Sequence, residues 1–451
     1  MTILFSTETF MLFKTLRTVR LIGFACLAVC AGPARAQSTP DFEQAPINYS
    51  EATPNDAVAR LQQRLASGEL AFAGSDQDIL RVVLRELKVP VESQVIVFSK
   101  TSLQRGRIRP RTPRAMYFSD SAYVGWVPGG LIEVSAVDPK LGPIFYTFDP
   151  QAARGADRTF VRDSDCLRCH GGAFVRDIPG VFVRSVITND AGEPLLRHGT
   201  ELVDDRTPFE KRWGGWYVTG YTGRENHRGN AFASEAGDQL VFPLNDERPQ
   251  ELSGFFDTAN YPEKTSDVVA LLVLEHQLAM QNSLTRAGQR ARKMLEYQRS
   301  LQKAFNDPPS DEPTYDSVKS VFTSAVEDVV DHLLLRGAAP LPEGVTGNAE
   351  FKRSFVANAP RDESGHALKD LQLSDRLFVN RCSYLIYSES FTAMPEQLKR
   401  RILQRLHAAL HDEAPAGRYA YLDTAERQRI YHILRSTHPD AKAAWSESKA
   451  D

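Results

Sequence analysis

An α+β fold is predicted, with a β-rich region placed before a mainly helical C-terminal region, and three observations carry the prediction. Between Gln94 and Phe148, five short runs of β-branched and aromatic residues are separated by Pro and Gly, as strands of an antiparallel sheet would be. From Ser266 the apolar spacing turns helical, with Val269, Leu272, Val273, His276, Met280, Leu284 and Ala287 on one stripe. The composition, 42% hydrophobic and 25% charged over 451 residues, is that of a globular chain with length for two or three domains.

The N-terminus reads as a secretory signal. Lys14, Arg17 and Arg20 precede an apolar run from Leu21 to Ala31, and Ala34-Arg35-Ala36 supplies the small residues a signal peptidase reads, which places cleavage before Gln37. The run is 11 residues long, short of the roughly 20 that span a bilayer. Leu27-Ala28-Val29-Cys30 is the alternative, a lipoprotein box, disfavoured by the bulk of Val29 before the cysteine. No membrane span is expected after cleavage, and export predicts a periplasmic protein.

Asn55 or Thr53 is placed to cap a first helix through Val58, Leu61 and Leu65, and a second helix spans about Asp76 to Leu87. Strands follow at Gln94–Phe98, Ala115–Phe118, Tyr123–Trp126, Leu131–Val134 and Ile144–Phe148. A hairpin is expected where Gly180–Thr188 meets Pro194–His198 across Asn189-Asp190-Ala191-Gly192. Trp213–Tyr221 is a further aromatic segment, leading to a polar loop from Arg224 to Asn230. A long helix begins near Ser266, with Ser266 or Thr265 as N-cap. Others cover Tyr315–Leu335, Leu398–Leu410 and Thr424–Leu434. The expected organisation is a signal peptide at 1–36, an N-terminal helical region at 37–100, a β-rich domain at 101–262, a helical region at 263–380 and a C-terminal helical region at 381–451.

Signal cleavage removes four basic residues and one acid, which moves the net charge from −3 to −6. A mildly acidic chain without a Lys/Arg block lacks the basic face that nucleic-acid binding needs. Cleavage also removes Cys26 and Cys30, so Cys166, Cys169 and Cys382 remain. This is no disulfide framework.

Two of the three stand in Cys166-Leu167-Arg168-Cys169-His170, a C-x-x-C-H pentapeptide that chance would produce in roughly one such chain per thousand. Thiols three positions apart can add to the two vinyl groups of one porphyrin, and the next residue then lies beneath the iron. The expectation is one covalent haem c on Cys166 and Cys169, with His170 as proximal iron ligand. A thioredoxin-like redox pair would expect a helix after a strand, which Asp163-Ser164-Asp165 before and Gly171-Gly172 after do not resemble. Half of a zinc site would need two further ligands, and no second C-x-x-C or H-x-x-x-H is present.

The motif, together with the segments Val97–Gln104, Tyr123–Trp126, Trp213–Gly220 and Arg381–Leu385, resembles a bacterial family of exported proteins that contain a single cytochrome c motif, over most of the mature chain. The resemblance implies haem attachment at Cys166 and Cys169 with His170 on the iron, and carries no reaction with it. It also implies a fold other than the compact small cytochrome c, whose motif lies near the start of about one hundred residues; here about 130 mature residues precede it. A weaker likeness is to haem-bearing PAS-like sensor domains, where strands similar to Gly180–Val186 follow the motif.

Function then turns on the iron's far face. A protein ligand there favours electron transfer with a redox partner protein; an open site suits a haem sensor or a peroxide-handling enzyme. His227, in the polar loop, is the first choice for sixth ligand, with Met280 or His276 behind it; His198 is read as the end of a strand and Met116, between Ala115 and Tyr117, as a buried strand residue. Arg168, Arg176, Arg184, Arg212, Trp213 and Trp216 are candidate donors to haem propionates. Cys382 is expected to behave as a buried small hydrophobe.

Overall fold

Seven strands, all antiparallel, form the sheet around which the described chain is built. In the computed structural model the described residues are 39–155, 158–237, 239–243, 248–342, 344–411 and 417–447, so the signal segment expected at 1–36 lies outside them. The strands are β1 (Val95–Val97), β2 (Arg114–Phe118), β3 (Ala122–Trp126), β4 (Ile132–Asp138), β5 (Gly142–Phe148), β6 (Val161–Arg162) and, after the separate pair β7 (Val183–Val186) and β8 (Thr200–Val203), β9 (Trp216–Tyr217). Their order is β6-β5-β4-β3-β2-β1-β9. The first six form a meander in chain order, and β9 closes the far edge against β1.

Side-chain alternation gives this sheet two buried faces. One carries Ile96, Ala115, Tyr117, Val124, Val134, Ile144 and Tyr146 and packs with residues of α1 (Ala57–Ala66) and α2 (Asp76–Glu86). Asp56 caps α1 by accepting from the Val58 and Ala59 amides, and its other oxygen accepts from the Tyr146 hydroxyl at 2.7 Å, tying the helix to β5. The cap is therefore Asp56 rather than Asn55 or Thr53, because only its carboxylate can serve helix and sheet together. The second helix is capped by Ser75 in a capping box with Asp78.

The opposite face carries Val95, Val97, Phe118, Tyr123, Val137 and Phe145 and packs into a larger core with the C-terminal helices. After two single-turn helices, α3 (Pro150–Ala153) and α4 (Leu167–His170), comes α5 (Val268–Phe305), 38 residues long, then α6 (Asp316–Leu333), α7 (Ala349–Val356), α8 (Glu389–Thr392), α9 (Glu396–Leu410), α10 (Thr424–Thr437) and α11 (Pro439–Glu447). The observed architecture is thus a mixed one, a sheet region followed by a helical C-terminal part.

Three expectations are corrected. Asp267, not Ser266 or Thr265, caps α5 through the Ala270 amide; Ser266 instead accepts from the Ile96 amide and donates to the Tyr217 carbonyl, pinning the helix start to β1 and β9. The hairpin at Asn189–Gly192 reduces to a Thr188–Pro194 bridge, and β7 pairs with β8, since Leu196–His198 coils into a 3-10 turn. The boundaries drawn at 100/101 and 262/263 do not divide the fold: β1 and β2 are hydrogen-bonded neighbours, and Pro40–Asp451 forms one unit.

Candidate functional site: the C-x-x-C-H turn

Strand β6 delivers the chain to the motif, and the Asp163 amide donates to the Phe145 carbonyl of β5 at 2.9 Å. The Asp163 carboxylate then accepts from the Asp165 amide, starting a 3-10 turn over Ser164–Cys166 that runs directly into α4. Helical spacing over this short stretch puts Cys166 and Cys169 on one side, and His170 one residue further. The Gly171 amide closes the turn on the Leu167 carbonyl. A side chain at Gly171 would meet that carbonyl and the Phe42 ring.

His170 is held on four sides. Its Nδ1 lies 2.9 Å from the Gly180 carbonyl, and the Gly180 amide donates back to the His170 carbonyl at 2.8 Å. A carbonyl only accepts, so Nδ1 carries the proton and Nε2 the lone pair. Phe145 and Phe182 flank the imidazole, with ring centroids 4.8 and 4.7 Å away. Burial, with Arg114 adding to it, lowers the imidazole's pKa to about 4. The ring is therefore neutral at ordinary pH, with no hydrogen bond to Nε2 among the described residues. Behind Gly180, Asn282 of α5 brackets Val181, accepting from its amide at 3.0 Å and donating to its carbonyl at 2.6 Å.

The two motif cysteines are free thiols in different settings. Cys166 is half-buried, and burial together with Asp163 and Glu133 pushes its thiol up to about 12. Cys169 is exposed. Facing the motif from the sheet, Arg114 of β2 lies across Gly125 of β3 to pair with Glu133 of β4, so that a Cβ at Gly125 would collide with the guanidinium. Ser102 donates to the other Glu133 oxygen at 3.3 Å. Arg114 Nε and the Ser135 hydroxyl are buried without partners among the described residues.

The other predicted residues are placed as follows. His227 is not in a free loop: it is buried edge-on against Trp213, centroids 5.0 Å apart, and its Nδ1 accepts from the Gly229 amide. Burial drives its pKa down to about 3, and no contact joins it to His170 or either motif cysteine among the described residues. The polar residues around it hid its own burial from a sequence reading. Both nitrogens of His276 are engaged, Nδ1 with Asp205 and Nε2 with the Ser383 hydroxyl. Met280 is fully buried in the α5 core. His198 sits on Glu235 at the surface. Arg212 and Trp213 are both bonded to the buried Glu275 carboxylate, and the Trp216 indole donates to the Arg184 carbonyl. Of the expected propionate donors, Arg168 and Arg176 are exposed and Arg184 lies over the Phe174 ring. Cys382 is fully buried.

Residues that sequence reasoning missed are Arg114, Gly125, Glu133, Phe145, Gly180, Phe182 and Asn282. Only Pro179-Gly180, a turn signal closely following the motif, could have been noticed. Among the described residues no group of three or more His, Cys, Asp and Glu side chains is placed to hold a bare metal ion, and no helix is long and apolar enough to cross a membrane. No protein-family model matches the chain, and neither a curated protein nor a solved structure does.

Proposed function

We propose that this is an exported monohaem c-type protein that transfers electrons, its haem linked through Cys166 and Cys169 and ligated by His170. The observation that carries the reading is the bond from His170 Nδ1–H to the Gly180 carbonyl. Iron-ligating histidines characteristically donate their second ring nitrogen to a carbonyl or carboxylate, which fixes the tautomer and aims the free Nε2 at the metal. The donor set fits the group: two unpaired thiols one helical turn apart, a neutral imidazole with a free lone pair, and aromatic flanks.

Bound there, haem c would supply one-electron iron chemistry in a cofactor that cannot be lost outside the cytoplasm. The chain's part is to keep His170 neutral and oriented, to screen one side with Phe145 and Phe182, and to leave the exposed Cys169 side open to a redox partner protein. The haem-sensor reading, with a PAS-like fold and an open iron, draws on the antiparallel sheet standing behind the motif.

The attachment test is haem staining on a denaturing gel. Wild type should stain, and the Cys166→Ala, Cys169→Ala double variant should not; stain retained in the double variant overturns the assignment. Export is read by the mature N-terminus, expected at Gln37 in periplasmic protein. The electron-transfer and sensor readings part on the ferrous spectrum with and without carbon monoxide, since an open iron binds the gas readily.

A further inference from the structure

One H-x-x-x-H does stand in the sequence, His407-Ala408-Ala409-Leu410-His411, far along the chain from the C-x-x-C-H turn, which corrects the reading above that none is present. It closes α9. The His411 amide donates to the His407 carbonyl at 2.9 Å, so His411, although it caps the helix in an extended conformation, still sits one turn beyond His407 with its Cβ on the same face. The two imidazole centroids are 5.6 Å apart. Imidazole nitrogens hold a divalent ion at about 2.1 Å, which sets two such ring centres about 5 Å apart at a tetrahedral angle; side-chain torsions absorb the difference. His407 is also packed against Tyr431 of α10 and Trp445 of α11, ring centroids 5.7 and 5.4 Å away, and those two rings stack on each other at 5.2 Å. Trp445 is buried, and its indole donates to the Leu403 carbonyl one turn before His407. That packing limits the rotamers of His407, so chelation gives up less side-chain entropy.

We propose that His407 and His411 chelate a first-row transition-metal ion, divalent copper ahead of zinc, in an open site whose remaining positions are filled by water. His411 is exposed, and neither imidazole has a hydrogen-bond partner among the described residues, in contrast to His276, whose two nitrogens are both engaged. The pair stands at the C-terminus of α9, the negative end of the helix dipole, which favours a cation. Imidazole suits copper and zinc, and copper stands highest in the affinity order of the divalent series. Two protein donors are fewer than the four of a closed structural zinc site or the three of a catalytic one, so the bound ion exchanges with solvent. The site is independent of the haem assignment.

The test uses the full-length protein as purified, without a polyhistidine tag and after dialysis against a chelator, titrated with copper chloride and separately with zinc chloride. Calorimetry reads affinity, and the electron paramagnetic resonance of bound copper reads its ligands. Wild type should bind copper more tightly than zinc and show nitrogen superhyperfine structure from two imidazoles. His407→Gln and His411→Gln should each weaken copper binding at least as much as loss of an outer-shell partner does, about 10–100-fold, and lose the two-nitrogen signal. His411→Gln, at an exposed position, carries the test should His407→Gln fail to fold. The motif cysteines are the same in all three proteins, so copper bound elsewhere cancels in the comparison. Equal copper affinity in wild type and His411→Gln overturns the site, and so does a wild-type copper signal with one nitrogen ligand or none.

Discussion

Gly180 holds His170 with both of its backbone groups, and its missing side chain is what permits this. A Cβ there would lie 2.8 Å from Asn282 Oδ1 and from Val175 Cβ, so Gly180→Ala must push the loop off α5 or loosen the His170 bond. The expected result is a loss of about 1–3 kcal/mol in denaturant unfolding, accompanied by a changed ferric spectrum in the haem-loaded protein. His227 makes a second prediction. Its pKa is about 6.5 when unfolded and about 3 in the fold, so the unfolded chain binds the extra proton between those values. Stability therefore falls as pH drops below about 6.5, by on the order of 3 kcal/mol from this group at pH 4. The stability gap between wild type and His227→Gln should narrow from pH 7 to pH 4 in urea titrations; a gap that does not change with pH contradicts the account. Of this scale, the motif itself was legible in the sequence because its chemistry is local. The partners of His170 were not, since only tertiary folding brings Phe145 of β5 against it.

Helix α5 shows why an apolar stripe understates an element. Its stripe predicts one buried face, yet most of its N-terminal half is enclosed, and the polar residues inside are spent on backbone and hydroxyl groups of other elements. Gln277 donates to the Ser119 carbonyl and the Tyr123 hydroxyl and accepts from the Tyr384 hydroxyl; Gln289 donates to the Leu141 carbonyl. Buried amides of this kind look like surface residues in a sequence, because nothing local marks their distant partners. Gln277→Ala leaves three buried polar groups short of a partner, and the expected cost is about 2–4 kcal/mol, seen as a lower denaturation midpoint without change in slope. The capping residues Asp56 and Asp267 were each missed by one to three positions for a related reason: each also bonds outside its own helix, Asp56 to Tyr146 and Asp267 to the Asn348 amide.

At the scale of the molecule, the sheet is a partition between two cores rather than the heart of a separate domain. Five of its strands were readable from alternation and turn residues, and so was the helical C-terminal part. The fold does not follow the boundaries at 100/101 and 262/263, because α1, α2 and α5 cover the two faces of one sheet. Unfolding of the region from Pro40 onward should accordingly be one cooperative transition, with helix-sensitive and tryptophan-sensitive signals coinciding. Separate transitions, or a stable proteolytic fragment beginning near residue 101 or ending near 262, would restore the boundaries at 100/101 and 262/263.

The two ties around the motif also differ in timing. His170 meets Gly180 across ten positions of sequence, whereas Asn282 reaches Val181 across 101. A chain threaded across a membrane N-terminus first delivers the histidine and its carbonyl together, long before α5 has emerged. On the export and haem attachment proposed above, there is an interval during which the histidine is already oriented while Cys166 still lacks the helix-backed core that half-buries it, and a maturation enzyme would find both thiols within reach. Asn282→Ala should then load haem to the wild-type level and lose stability only afterwards, while Gly180→Ala should lower the loaded fraction itself. Equal loading deficits in the two variants would show that attachment waits for the finished fold.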